Sequence, residues 1–268
     1  MIAFVNQRVH EGTSPISIRL LNTIPEPRIR PYRQLADAHG IDVALLYRWN
    51  SQVTLAIFDD LSVLEVSMRS AMARELHCAF GTNWFRNPAL FDDDTVGLIS
   101  RAWEQGRLSS LNAPPDVVHG KLVASLMFGF WVKILGKGSH RGLKDPHTRT
   151  PLTTRRVYDE LLWKPALHKA FPGVDRLERS KVERAARDLQ FVRNRVAHHE
   201  HVIWGIPAYG QKQANGTVRR MSVTNAHMTL LNVAGYIDPD LASWITANTS
   251  LTASLANCPL PNTSALMI

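Results

Sequence analysis

Cysteine is scarce: Cys78 and Cys258 are the only two in 268 residues. That is too few for a disulfide scaffold, and no Cys-x-x-Cys pair exists to hold zinc. No apolar stretch approaches the roughly 20 residues that cross a bilayer. The strongest one, Leu122–Val132, stops at Lys133. The first residues, MIAFVNQRVHEG, contain no basic stretch leading into an apolar one, which predicts no secretory signal peptide. Gly and Pro number 15 each, well short of collagen-like or low-complexity content. Nor does a period of roughly 20–50 residues recur, so a repeat array is excluded. These absences predict a folded protein of the reducing cytoplasm with no membrane segment. Carboxylates are outnumbered as well, 23 Asp+Glu against 31 Lys+Arg, which leaves a net charge of +8. Such an excess favours a polyanionic partner, with nucleic acid the first candidate.

What is present is helical spacing. The apolar fraction, 45%, is ordinary for a chain that buries a core. Residues 1–30 carry Pro15, Pro25 and Pro27 among few paired apolar positions and read as a loose arm. Pro31 opens a helical stretch that Gly40 interrupts, and Asn50–Ser51 can cap the helix that follows. That helix places Leu55, Phe58, Leu61, Leu64, Met68, Met72, Leu76 and Ala79 at spacings of three or four, and Gly81 stops it. Asp92–Asp94 begin another helix, closed by Pro114–Pro115, and Lys121–Leu135 reads as a single buried one. Residues 136–155 are polar, basic and punctuated by Gly and Pro, which predicts a long surface loop. A short helix over Val157–Phe171 follows.

Two capping-box patterns, Asp175-x-x-Glu178 and Ser180-x-x-Glu183, compete to start the next helix, which runs to about His201. Its core stripe is Val182, Ala186, Leu189, Val192 and Val196. Beyond it, 205–223 is irregular and compatible with a short strand pair. Helices over Asn225–Tyr236 and Pro239–Ala247 complete the pattern. The fold class is therefore all-α: a helical domain over 31–205 and a C-terminal helical extension, 206–268, packed on it.

The chemistry is concentrated in FVRNRVAHHEH, residues 191–201. At about 100° per residue, Asn194 and His198 share a helix face, and the long side chain of Arg193 reaches the same spot. This trio suits phosphodiester chemistry. Histidine moves protons near neutral pH, and arginine offers a charged planar fork to a phosphate that gains charge in the transition state. Asparagine can orient the histidine or add a hydrogen bond. In RNA the 2′-hydroxyl can serve as nucleophile, so no metal is required. The same residues also have a purely structural reading, because Arg and His at a helix C-terminus stabilise its dipole by about 0.3–1 kcal/mol each. His199–Glu200 begins a zinc-protease-like pattern, but Ile203 stands where the second histidine belongs. No metal and no cofactor are assigned.

The segment RNRVAHHE resembles the signature of the Abi-like (abortive-infection) family within the HEPN superfamily, in which an Arg, usually followed by Asn, precedes a His. Other segments resemble that family in the same order. LLYRWN (45–50) and LSVLEVSMRSAM (61–72) are similar to its first helix pair, and Gly81 with Trp84 to its G-x-x-W ending. ASLMFGFWVKIL (124–135) is similar to its central helix, and LLWKPALHKAFPG (161–173) to a version common in actinobacterial members. Ile237-Asp238-Pro239 with Trp244 adds a further likeness.

The resemblance implies a HEPN-like bundle that forms a homodimer, with the Arg–His helices of two chains meeting in a cleft that cuts RNA without metal. On that basis Arg193 is the phosphate clamp, His198 the proton-transfer residue and Asn194 their polar support. The implied role is an endoribonuclease of phage defence or a toxin–antitoxin system. An antitoxin or another defence protein would then be its partner. The alternative is a non-catalytic RNA-binding or protein-interaction module of the same fold.

Glu65 and Arg69 share a face of the long helix at i, i+4, the spacing of an ordinary exposed ion pair. Flanked by core positions, Glu65 is expected to orient Arg193 or the motif histidines, with Arg69 and His199 as further supporting residues. Residues 141–195 hold 14 Lys+Arg against 7 Asp+Glu, whereas the rest of the chain holds 17 against 16. The basic excess thus sits in the segment that ends at the motif, which predicts a salt-sensitive footprint on an RNA backbone.

Overall fold

The computed structural model describes residues 22–87, 89–144, 151–212, 216 and 218–261. Its first helix, α1 (Glu26–His39), opens five residues before Pro31, with Pro27 in the first turn and Pro31 inside. Pro27 suits that turn because its missing N–H would have no helical partner there. Ile29 is fully buried, so residues 26–30 are a helical turn anchored on the core by that side chain and not a loose arm. Residues 1–21 of the expected arm lie outside the described residues. Gly40 ends α1 in the left-handed conformation, at φ 64°.

Asp42, not Asn50–Ser51, caps the next helix, accepting from the Ala44 N–H at 2.8 Å. From there α2 (Val43–Phe80) runs unbroken for 38 residues to Gly81, about 57 Å at the helical rise. Its buried face is carried by Leu46, Val53, Ile57, Leu61, Leu64, and Met68. Ile57 fixes the phase. Leu55, two residues earlier, falls on the opposite side and is 65% exposed, and Phe58, one residue on, is 39% exposed. Ala79 is exposed too. These three positions are corrections to the expected stripe.

Asp92 caps α3 (Asp93–Gln105) through the Thr95 N–H. Pro115 does not close that helix; it opens α4 (Pro115–Ser125), where a proline at the first position costs no hydrogen bond. The expected single helix over Lys121–Leu135 is in fact two, since α5 (Phe128–Ile134) lies at 95° to α4. Leu126 and Met127 are extended there, and the Trp131 indole donates to the freed Leu126 carbonyl at 3.2 Å. Trp49, Trp84, Trp131 and Trp163 are all core side chains.

The expected surface loop carries an antiparallel hairpin, β1 (His140–Lys144) with β2 (Pro151–Arg155), and residues 145–150 lie outside the described set. Val157–Phe171 forms a π-helical turn at Asp159–Trp163 and a 3-10 turn at Leu167–Ala170. Then comes α6 (Arg179–Ala197), which uses neither capping box: Glu178 precedes it without a side-chain cap bond. A cap contributes about 1 kcal/mol, whereas each buried Val or Leu contributes about 1.5–3 kcal/mol. The five stripe residues, Val182 to Val196, are all buried, so packing places this helix. Against α5, Gly129 permits a close approach, since a Cβ there would stand 2.9 Å from Gln190 Nε2.

A second antiparallel pair, β3 (Ile206–Lys212) with β4 (Val218–Met221), occupies the irregular stretch. The helices α7 (Val223–Ile237), α8 (Pro239–Asn248) and α9 (Leu251–Ala256) follow. Both α7 and α9 pack on α2. The Trp49 indole reaches the Ser254 carbonyl, and Asp60 receives the Thr249 hydroxyl while facing His227 at 3.2 Å. The architecture is all-α, with two short strand pairs. Among the described residues no single helix is long and apolar enough to cross a membrane.

Candidate functional site

The motif lies where α6 stops, and the stop has a specific geometry. The Glu200 N–H reaches back to the Arg195 carbonyl, and the His199 N–H to that of Val196, both at 3.0 Å. This is a Schellman closure, which normally places glycine at the left-handed position. Here that position is His199, with φ 54°. A side chain there costs about 1–2 kcal/mol relative to glycine. The helix was expected to reach about His201; instead His198 is its last half-helical residue, donating its N–H to Asn194 at 3.0 Å.

The turn is pinned from distant parts of the chain. Arg28 on α1 donates to the His198 carbonyl at 2.9 Å, and buried Asn50 accepts from the Val202 N–H at 2.9 Å. Arg195 donates to the His201 carbonyl, and Arg220 on β4 donates to the carbonyls of Trp204 and Gly205. His201 sits inward, edge-on to Tyr32 and Trp204. Burial first, and then the Arg195 and Arg220 guanidiniums, hold its pKa below the ordinary histidine value. His201 is therefore neutral packing, in contrast to His198 and His199, which are exposed.

Of the expected residues, the fold joins Glu65 and Arg193 across α2 and α6: Arg193 Nε stands 3.8 Å from Glu65 Oε2. That separation is beyond a hydrogen bond, and Nε is buried with no such partner, so the attraction is purely ionic. Asn194 and His198 lie exposed on the same end of α6. Arg69 is not drawn in. Among the described residues the ion pair of Glu65 runs to Arg193 and not to Arg69 one turn further on. His199 lines a groove between α2 and the helix end, together with Phe58 and Thr54.

Arg28 and Asn50, which hold the turn, were not expected there from the sequence. Both act over more than 150 positions; Arg28 sits in no motif, and Asn50 ends the LLYRWN segment without any sign of a bond to the turn. The one available signal was the Ile29–Tyr32 spacing, which marks residues 26–32 as helical.

Part of the basic segment is paired locally. Arg179 faces Asp159 and Glu183, Arg187 faces Glu183, Lys181 faces Glu178, and Lys164 sits between Asp159 and Glu160. These four cations meet four carboxylates, so the basic excess of residues 141–195 is unchanged and falls to the other side chains of the segment. Comparison with protein-family models, curated proteins and solved structures finds no match to this chain.

Proposed function

We propose that this protein is an Abi-like member of the HEPN superfamily and a metal-independent endoribonuclease of a defence or toxin–antitoxin system, acting in the cytoplasm as a homodimer. The observation that carries the reading is the trio at the end of α6. Arg193 is held against Glu65, beside exposed Asn194 and His198, on a turn fixed by Arg28 and Asn50. With its Nε edge toward Glu65, the Arg193 guanidinium keeps its Nη groups for a phosphate.

His198 accepts the proton of a ribose 2′-hydroxyl as that oxygen attacks phosphorus. The new O2′–P bond forms, the P–O5′ bond breaks, the leaving 5′-oxygen takes a proton from water, and protonated His198 returns its own proton to the hydroxide so formed. The products are a 2′,3′-cyclic phosphate and a free 5′-hydroxyl. Arg193 stabilises the charge that builds on the phosphate oxygens, and Asn194 orients the participants. Such proton transfer contributes typically about 10²–10⁴-fold.

The test is cleavage of total RNA with chelator present, by the parent protein and by Arg193→Ala and His198→Ala. Chelator-resistant cleavage with cyclic-phosphate ends, lost in both variants, is the expected result. Equal traces in all three samples reject the enzyme, and RNA binding without cleavage favours the non-catalytic module. Sedimentation of a monomer at working concentration would remove the two-chain cleft.

A further inference from the structure

The groove beside the motif has a chemistry of its own. It encloses about 440 Å³ between α1, α2 and the end of α6, a size typical of small-molecule sites. Its walls are aromatic and apolar: Tyr32 and Tyr47 meet edge to face at 5.1 Å, and Phe58 and Leu55 stand out of α2 toward solvent. Polar groups occupy its depth. Asn50 is 4% exposed, and its Nδ2 lies 3.5 Å from Thr54 Oγ1, the long limit of a hydrogen bond. A carboxamide nitrogen carries two N–H groups, so donor capacity remains on this wall.

Among the described residues no carboxylate lines the groove, and Arg28 on α1 donates to the His198 carbonyl, next to the lining residue His199. Flat aromatic walls, an amide in the depth and one guanidinium beside the groove together match one ligand chemistry: a planar heterocycle joined to an anion. A peptide or a second copy of the chain would use the apolar walls but would give the guanidinium and the buried amide no role. Single-stranded RNA is recognised by stacking unpaired bases on aromatic side chains and hydrogen-bonding their edges.

We infer that this groove is a base-recognition site, in which one nucleobase lies against Phe58 and Tyr47 with its edge toward Asn50 and Thr54. The inference rests on the ribonuclease reading above and gives that enzyme a preferred base next to the scissile phosphate. Phe58 and Leu55 are then exposed because the RNA covers them during the reaction.

The experiment titrates the four 3′-nucleoside monophosphates, and inorganic phosphate as control, into the full-length His198→Ala protein by calorimetry. At least one nucleotide is expected to bind about tenfold or more tighter than phosphate, and Phe58→Ala to remove that margin. Phe58→Tyr keeps the ring and should keep the binding, which separates stacking from a folding defect. Four nucleotides that bind no better than phosphate, or a Phe58→Ala protein that binds like its parent, overturn the inference. So does a groove filled by a second copy, seen as a dimer that Leu55→Glu dissociates and that no nucleotide displaces. Base-dependent binding without any RNA cleavage by the parent chain would reject the nuclease and keep the site. Cleavage with no base-dependent binding would do the reverse.

Discussion

At the start of α6, Arg179 is 11% exposed and lies between two carboxylates, Asp159 and Glu183, while also donating to the Leu135 carbonyl. At its end, Arg193 faces one carboxylate at 3.8 Å, and Asn194 and His198 face solvent. The same helix thus carries two arginines of different kinds. Arg179 is satisfied and serves the fold; Arg193 is incompletely satisfied, on a backbone held rigid by partners that are themselves far away. Polar groups positioned without being neutralised are what an electrostatic catalyst requires.

Breaking the start of the helix should have the largest effect on stability. Arg179→Met removes one cation each from Glu183, which keeps Arg187, and from Asp159, which keeps Lys164, and strips the Leu135 carbonyl of its donor; we expect a loss of roughly 1–2 kcal/mol in chemical denaturation. Activity per folded molecule should stay unchanged; a large activity loss at full stability would erase the distinction between the two ends. Glu65→Gln tests the other end. Removing the charge that holds Arg193 should lower kcat about tenfold with KM unchanged and with stability altered by less than about 1 kcal/mol. Glu65→Asp should fall less far.

A smaller effect of opposite sign is expected at the turn. His199→Gly relieves the left-handed backbone and should raise stability by about 1 kcal/mol, read as a higher thermal midpoint. A lower midpoint would mean that the His199 side chain holds the turn together.

The smallest effect is read by pH, at the turn and at a histidine of α4. His201, inside the pinned turn, is kept below the ordinary histidine pKa by burial and by Arg195 and Arg220. His119 is also lowered, by burial and then by His77, and its Nε2 accepts the Trp84 indole N–H at 2.9 Å. Both are neutral in the folded state, and the unfolded chain protonates them near pH 6.5. Below that pH the unfolded state binds more protons, so stability is present above about 6.5 and declines as pH falls toward the lower folded values. The denaturation midpoint should therefore drop between pH 7.5 and 5.5, and His119→Gln and His201→Phe should each flatten that drop.

Helices whose signals are local were legible in the sequence. The stripe of α6 repeats every three or four residues, and Gly81 and Asp92 end or begin helices by rules that need no tertiary partner. The break between α4 and α5 was not legible, because the run is apolar on both sides and the compensating bond, from Trp131 to Leu126, exists only after folding. The β1–β2 hairpin was hidden for a related reason: HRGLK and PLTTR lack the apolar–polar alternation of a half-buried strand. At the site, spacing marked Arg193, Asn194 and His198, and the flanking core positions suggested Glu65. Nothing in the chain order tied Arg28 or Asn50 to the turn at His198–Val202. Contacts across such separations leave no periodic trace.

Those long-range bonds bear on when the site comes into being. A ribosome that has released the chain as far as His201 has produced every motif residue, yet Arg220, which holds Trp204 and Gly205, is still to come. Chains emerge at roughly 5–20 residues per second, and contacts of high sequence separation form late because the loop must close first. The nascent polypeptide therefore carries the motif, with Glu65, Arg28 and Asn50 already made, before the Arg220 bonds to Trp204 and Gly205 can form. The end of α6 is thus set in two stages, the turn by residues already made and the Trp204–Gly205 stretch only after the second strand pair is synthesised.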